Sequence, residues 1–413
     1  MYSFAIYIYM CAVGIAAIFN KRARMLAVGH RKAFFQLKRQ VKKDARYVWF
    51  HAASLGEFEQ GRPLMERLRR EHPELKILLT FFSPSGYEVR KNWDGADVIC
   101  YLPLDTPAHV RLFFHFVRPE MLFLIKYEFW QNYLKGCNKR GIPVYSVSSI
   151  FRPSQIFFRW YGRVAGYTKV LNNVTHFFVQ NEQSRNLLAS LGHTDNVTVV
   201  GDTRFDRVID IRNAAKPLPL VEKFAQGHTV FVAGSSWQPD EALFIPWFKE
   251  RKPAPSLKLI IAPHLIGEDH LHGIESQLSG RRVLRYSQAN EENVTDADVL
   301  LIDCFGLLSS IYRYGKLAMV GGGFGVGIHN IPEAAVYGIP VLIGPNNHNF
   351  REARYLLEAG ACFEVHDAGD FLQTAERLLT DADAYRKAAE AAHHYIAGNA
   401  GATDTIYHHV FRA

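Results

Sequence analysis

The sequence predicts an α/β fold: two parallel-sheet domains facing a cleft, preceded by a membrane anchor. Three observations predict it. The chain has 413 residues, too many for one ordinary core. Short β-rich runs alternate with amphipathic stretches, break off at a polar segment and start again. Such alternation implies parallel strands with helices on both faces. The first twenty residues, MYSFAIYIYMCAVGIAAIFN, carry no charge, and about 20 apolar residues span a bilayer as a helix.

Residues 1–20 read as an anchor and not as a cleaved signal. A signal peptide opens with a basic region and closes on a small-residue cleavage site; here the basic residues follow the apolar run. Residues 21–43 form a basic neck, rich in Lys and Arg and free of Asp and Glu up to Lys43. A single anchor followed by positive charge places the rest of the chain on the cytoplasmic side. The net charge of +8 calls for an acidic partner. Because the basic run adjoins an apolar segment, an anionic membrane surface is expected, and no nucleic acid. The five cysteines (Cys11, Cys100, Cys137, Cys304, Cys362) are scattered and never form CxxC. That excludes a disulfide framework and a zinc site and fits a reducing compartment.

The first domain, 44–206, carries strands at Tyr47–His51, Lys76–Phe82, Met121–Ile125, Pro143–Ser148 and His176–Gln180. A helix lies over Glu59–Arg70, where Leu64 and Leu68 stand one turn apart. The polar, Pro-containing stretch 207–226 reads as a linker. In the second domain, 227–381, strands are expected at Thr229–Ala233, Lys258–Ala262, Val299–Asp303, Leu317–Val320 and Pro340–Ile343. Helices at Phe305–Tyr314 and Pro332–Tyr337 lie between them. Residues 382–413 read as helices that cross back to the first domain. Ligands bind such sheets beyond the carboxyl ends of the strands, so chemistry belongs in the loops there.

One such loop is His51–Glu57. Gly56 allows a tight turn and Glu57 stands near the start of the next helix. It is placed either as a general base or as an acid interacting with the helix dipole. Another loop runs from Gly321 to Glu333. Its glycines let the backbone approach a phosphate, and the following helix start attracts anions. Asn330 is expected to cap that helix, with Pro332 in its first turn. Glu333 is placed to accept hydrogen bonds from ribose hydroxyls. The pattern is neither GxGxxG in a first βα unit nor a Walker motif, and its late position favours a nucleotide-sugar donor. Asp296–Asp298 and Asp381–Asp383 read as caps and turns; Asp269, His270 and His272 read as a solvated helix face. No metal is expected. The stretch Phe151–Tyr167 mixes Arg152, Arg159 and Arg163 with Phe157, Phe158, Trp160 and Tyr161. It is either a headgroup interface or a buried helix with snorkelling arginines.

The segment WFHAASLGE resembles the WxHAxSxGE signature of the 3-deoxy-D-manno-octulosonic acid (Kdo) transferases. LLTFFSPSGYE is similar to that family's TxTPTG stretch, and KYEFWQNYLKGCNKRGIPV to ETELWPN followed by KRGIP. GDTRFD resembles GNLKFD, AGSSWQPDE resembles AGSTxxGEE, and GIHNIPEAAVYGIPVLIGPNNHNFREA resembles GGHNPLEPAALGVPVLFGPHxxNFxE. The match runs from about Trp49 to Val365. The resemblance implies a GT-B type fold of two Rossmann-like domains at the inner membrane. It implies an inverting glycosyltransferase that moves Kdo from CMP-Kdo to a lipid A precursor, lipid IVA, in lipopolysaccharide synthesis, with no cofactor beyond the donor substrate. By position, Glu57 matches the catalytic base, and Glu128 and Arg204 match residues that assist the transition state. Pro263 and His264, then Phe305, Gly306 and Leu307, fall on loops contacting CMP. Asn330, Ile331, Pro332 and Glu333 match the NxxE donor motif. The sequence departs from the family at His264 (Arg expected), Arg204 (Lys), Lys126 (Glu) and Leu307 (Glu). The alternatives are a nucleotide-sugar epimerase of the same fold and a catalytically silent membrane sugar-binding protein.

Overall fold

A computed structural model describes residues 2–164, 166–251, 257–325, 327–348 and 350–411. The sequence readings that touch Met1, Ala165, Val326, Asn349, Arg412 and Ala413 lie outside them. The chain forms two compact units, Met1–Arg207 with Asn399–Ala413, and Val208–Gly398.

The first unit opens with two helices, α1 (Tyr2–Phe19) and α2 (Lys21–Gln40). Asn20 separates them and caps α2, its side chain accepting from the backbone N–H of Arg22 and Ala23 at 2.8 and 3.2 Å. α1 is long and apolar enough to cross a membrane, and only 6% of it is buried. It is nevertheless tied to the body of the unit, because Tyr2 Oη donates to Asp105 Oδ2 at 2.7 Å. α2 buries Gly29, His30, Ala33 and Leu37. There the Tyr101 ring takes the space that a side chain at Gly29 would fill.

The sheet of this unit contains β1 (Tyr47–Ala52), β2 (Lys76–Phe81), β3 (Val98–Tyr101), β4 (Pro119–Ile125), β5 (Val144–Ser149), β6 (His176–Val179) and β7 (Val197–Val199). Its order is β3-β2-β1-β4-β5-β6-β7, and every pairing is parallel. All six residues of β1 are buried, because both faces are covered. Tyr47 and Trp49 enter one core with Phe113 and Tyr133; Val48, Phe50 and Ala52 enter the other with Phe58 and Phe123. Helix α3 (Leu55–Glu71) follows β1 directly. The order reverses between β1 and β4, which makes their carboxyl ends the expected ligand position.

The second unit repeats the plan with β8 (Thr229–Ser236), β9 (Leu257–Pro263), β10 (Val283–Arg285), β11 (Val299–Leu301), β12 (Leu317–Val320), β13 (Val341–Ile343) and β14 (Cys362–Glu364). The order is β10-β11-β9-β8-β12-β13-β14, again parallel throughout. Its reversal lies between β8 and β12.

The stretch 207–226 is not the open linker that its polarity implies. Helices Thr203–Ala214 and Pro219–Ala225 occupy most of it. Phe205, Val208, Val221 and Phe224 are buried and supply the apolar faces, while the prolines stand at or before the second helix's start. The carboxyl-terminal segment divides: Ala382–Gly398 is one helix of the second unit, and Ala402–Phe411 packs on the first. In the latter, Ile406 and Tyr407 join the core that holds Phe58 and Leu64. Arg67 pairs with Asp404 and stacks on the Tyr407 ring at 4.2 Å. Asp206, the last residue of GDTRFD, accepts the N–H groups of Gly401 and Thr403, both at 2.6 Å.

Asp206 therefore caps the terminal helix. Losing a cap costs about 0.5–2 kcal/mol. Asp206→Ala is expected to lower the unfolding free energy, measured by denaturant titration, by about that amount, while Asp206→Asn, which keeps one acceptor oxygen but turns an NH2 toward the other N–H, recovers only part of it. An Ala variant as stable as the parent would remove this role.

Candidate active site

In the first unit the loops after β1 and β4 come together through buried polar contacts. Trp49 Nε1 and His51 Nδ1 both donate to Thr80 Oγ1, at 2.8 and 2.9 Å, and Thr80 Oγ1 donates to the Phe50 carbonyl at 3.3 Å. His51 Nε2 then accepts from Trp130 Nε1 at 3.3 Å. One tautomer satisfies every partner. Burial pushes the His51 pKa down to about 3, so the ring is neutral. Segments 49–51, 80 and 130 are thereby locked to one another.

Glu57 lies at the third position of α3, behind the N-cap Ser54. It is buried, and its Oε2 accepts the Ala53 N–H at 2.5 Å. It is thus both a helix-start acid and a carboxylate at a strand's carboxyl end. Burial raises its pKa; the Ala53 hydrogen bond and the Lys126 charge oppose that rise. Glu128 follows β4. Its pKa is pushed up to about 7, first by burial and then by the charge of Glu57, with a hydrogen bond from Trp130 opposing. Lys126 sits at a φ of +63°, which few side chains adopt. Its carbonyl accepts both Ser146 Oγ (3.0 Å) and Ser149 Oγ (2.5 Å), which hold that turn.

Arg204 is held by Asp202, with Nε and Nη2 at 3.0 and 2.8 Å from Oδ2. Asp202 is buried. Burial raises its pKa, but the charge and hydrogen bonds of Arg204 outweigh that and leave it low. Gln60 from α3 donates to both Asp202 oxygens at 3.0 and 2.9 Å. Thr203 Oγ1 donates to the Gln60 carbonyl at 2.5 Å. The GDTRFD segment is thus joined to the helix that begins with Glu57. Sequence reading missed Gln60, Asp202, Thr80 and Trp130; each lies inside or beside a quoted motif, but polarity in sequence does not show which polar residues are buried.

In the second unit the carboxyl ends of β8, β9, β11 and β12 gather the remaining residues. Asp240 Oδ2 accepts the N–H of Trp237 at 2.9 Å and of Gly322 at 2.8 Å, tying the loop after β8 to the glycine-rich one. Gly322 has a φ of +94°, and a Cβ there would lie 2.3 Å from the Gly327 carbonyl oxygen. Gly323 is excluded from carrying a side chain by close approach, with Gly344 N 2.5 Å from the Cβ position. Pro263 ends β9, and the His264 N–H donates to the Ser236 carbonyl at 2.9 Å. Phe305, Gly306 and Leu307 make the turn after β11. Phe305 is 76% exposed, and the expected helix from it shortens to Leu308–Ile311 plus a 3-10 turn.

The expected cap at Asn330 is corrected. Ile331 occupies the cap position, with Pro332 in the first turn, and the helix is only Pro332–Ala335. The Asn330 amide instead donates to Glu333 Oε1 at 2.7 Å. So short a helix gives little dipole for an anion. His270 is engaged by Glu241 at 2.8 Å, and Asp381 caps its own helix by accepting from Asp383 and Ala384. In Phe151–Tyr167, Phe157 and Phe158 pack on the core, whereas Trp160, Tyr161 and Val164 are exposed. The stretch is therefore not a buried helix: its helix, Trp160–Val164, is short and largely exposed.

A family described as "3-Deoxy-D-manno-octulosonic-acid transferase (kdotransferase)" matches residues 27–207. A 3-deoxy-D-manno-octulosonic acid transferase of Aquifex aeolicus is 30% identical over 353 residues, covering 84% of this chain and 90% of the relative. One of Bordetella pertussis is 28% identical over 373 residues, covering 86% and 85%. Among solved structures, a UDP-GlcNAc 2-epimerase from Neisseria meningitidis aligns with a TM-score of 0.60 at 15% identity, covering 89% of this chain and 100% of that one. MurG of Acinetobacter baumannii aligns with a TM-score of 0.57 at 10% identity, over 89% and 100%. The two structural likenesses bear on the fold alone.

Glu128 gives a prediction with a defined sign. Its raised pKa means that folding favours the protonated form. The stability so gained is complete below the ordinary value of 4.5 and is lost as pH rises through about 7. Glu128→Gln, which cannot ionise, is expected to stabilise the protein relative to the parent at pH 8 by roughly 1–3 kcal/mol more than at pH 5. Thermal unfolding at the two values measures this. A stability difference independent of pH would show that Glu128 titrates normally.

Proposed function

The chain belongs to the Kdo transferase family, and we propose that it transfers Kdo from CMP-Kdo to a lipid A precursor by a single inverting displacement. The observation that carries this reading is the pair of acids, Glu57 and Glu128, placed just beyond the carboxyl ends of β1 and β4, where strand order reverses in the first unit. Glu57 is the general base. It takes the proton of an acceptor sugar hydroxyl as that oxygen bonds to the anomeric carbon. The bond from that carbon to the CMP phosphate oxygen breaks, and CMP leaves with the electron pair. Burial favours proton uptake, and the Ala53 contact fixes the carboxylate's orientation. Glu128, protonated in part near neutrality, donates a hydrogen bond to developing charge. Arg204, aimed by Asp202, offsets the leaving group's charge.

The second unit is the donor-binding half in this reading. Pro263, His264 and the Phe305–Leu307 turn contact CMP, and the Asn330–Glu333 motif holds the ribose, with Glu333 oriented by Asn330. CMP-Kdo is a substrate, and the reading calls for neither cofactor nor metal.

The acceptor is a phosphorylated glycolipid, so the enzyme works at the cytoplasmic face of the inner membrane. Phe4, Ile8, Ile15, Ile18 and Phe19 of α1 are exposed and apolar, suited to insertion among acyl chains. The neck and the exposed Trp160, Tyr161 and Val164, flanked by Arg159 and Arg163, suit anionic headgroups.

Purified protein with CMP-Kdo and lipid A precursor is expected to release CMP and add the mass of Kdo to the lipid. Glu57→Gln should slow that reaction roughly a hundred- to ten-thousand-fold, because an amide does not accept the proton. A variant keeping most of the rate would remove Glu57 as base, and an unmodified lipid in the parent reaction would remove the proposed substrates.

Deleting residues 1–20 should release much of the protein from anionic vesicles, leaving an association that high salt abolishes. Transfer to detergent-dispersed acceptor should persist. Full sedimentation of the truncated protein at high salt would contradict the anchoring role of α1.

A further inference from the structure

The departure at His264, where the family carries arginine, has a structural counterpart that involves two further residues. The His264 ring lies 4.6 Å from the Trp237 ring at an interplanar angle of 21°, and 4.5 Å from the His329 ring at 24°. Trp237 Nε1 also donates to His329 Nε2 at 3.1 Å. A hydrogen bond that short does not reach across an intervening ring. Trp237 and His329 therefore lie edge to edge against the same face of His264, as one platform. The backbone is fixed to match. The His264 N–H donates to the carbonyl of Ser236, Trp237's neighbour, and the His329 N–H donates to Gly321. Above this platform His264 is exposed.

The platform also fixes the role of His329. His329 Nε2 accepts the indole proton, so it is unprotonated, and burial followed by the neighbouring His264 lowers the His329 pKa. A cation laid over an indole face gains a cation–π attraction, and His264 is the ring that lies there. Asp240 holds the N–H groups of Trp237 and Gly322, and Glu241 holds Ser236 and His270.

We propose that Trp237 and His329 are positioning residues that hold His264 as the cation for the phosphate of a nucleoside-monophosphate donor, in place of the family's arginine. This rests on the reading of the second unit as the donor-binding half. A stacked imidazole on a short side chain needs a platform to set its direction, whereas arginine reaches and pairs with phosphate by its own planar fork. An imidazole can release its proton where a guanidinium does not, and the test uses that difference.

The test is calorimetric titration of the full-length protein with CMP at pH 6 and pH 8, for the parent, W237F, H264R and the H264R/W237F double variant. H264R shares the titration of the CMP phosphate itself and serves as the reference. The parent is expected to lose about fivefold or more in affinity from pH 6 to pH 8 relative to H264R. W237F, which keeps a ring but loses the bond to His329, should weaken CMP about three- to tenfold at pH 6. In the H264R background the same change should matter less than twofold. Parent-like affinity in W237F, an equal loss in both backgrounds, or the same pH dependence in parent and H264R would each overturn the proposal. No CMP binding by the parent would overturn the donor-site reading and this inference with it. Tight binding that is indifferent to these substitutions would overturn this inference alone.

Discussion

The first unit's site depends on one buried hydroxyl. Thr80 Oγ1 accepts from Trp49 and His51 and donates to Phe50, and His51 passes the chain on to Trp130. In a dry core each of these groups would cost about 1–3 kcal/mol if left without a partner. Moving any one strand orphans several at once, so the carboxyl ends of β1, β2 and the loop after β4 keep a single arrangement. Glu57 and Glu128 stand only a few residues beyond those ends. Their raised pKa values follow first from withdrawal from water, more complete at Glu57 than at half-buried Glu128, where the Glu57 charge adds to it. This also gives a reason for separate motifs in the sequence: the Trp and His of WFHAASLGE, the Thr of LLTFF and the Trp of KYEFW are members of one hydrogen-bonded set.

The second unit solves a similar problem with a carboxylate. Asp240 joins the β8 loop to the glycine-rich loop by accepting one N–H from each. The glycines serve that closeness, since the backbones at 322 and 323 approach their neighbours too nearly for any side chain. In both units some of the candidate residues lie where strand order reverses, Glu57 and Glu128 after β1 and β4, and Trp237 and the glycine-rich loop after β8 and β12, which is the position that parallel α/β topology leaves open for a ligand.

Much of this was legible in the sequence, and the misses have a common cause. The five strands expected in each domain are the five inner strands of each sheet. The four not foreseen, β3, β7, β10 and β14, are the four edges. Inner parallel strands are buried on both faces and read as apolar runs; edge strands such as Val283–Arg285 are three or four residues long, and three of the four are partly exposed. The helix Thr203–Ala214 was hidden for a related reason: its polar residues outnumber the two apolar ones, Phe205 and Val208, that are buried. At the site, strand-end loops pointed to Glu57 and to the stretch around Glu333. Glu128, Arg204 and the residues after β9 and β11 came from motif resemblance. The Trp237–His329 bond was invisible, because 92 residues separate its ends and only the fold brings them together.

The central claim is that a single displacement, with Glu57 as base, moves the sugar from nucleotide to lipid. The anomeric configuration of the transferred Kdo tests it most directly, read by NMR on product made from CMP-Kdo of defined configuration. One displacement predicts a linkage inverted relative to the donor. Retained configuration would require two displacements or same-face departure and attack, and would contradict the account.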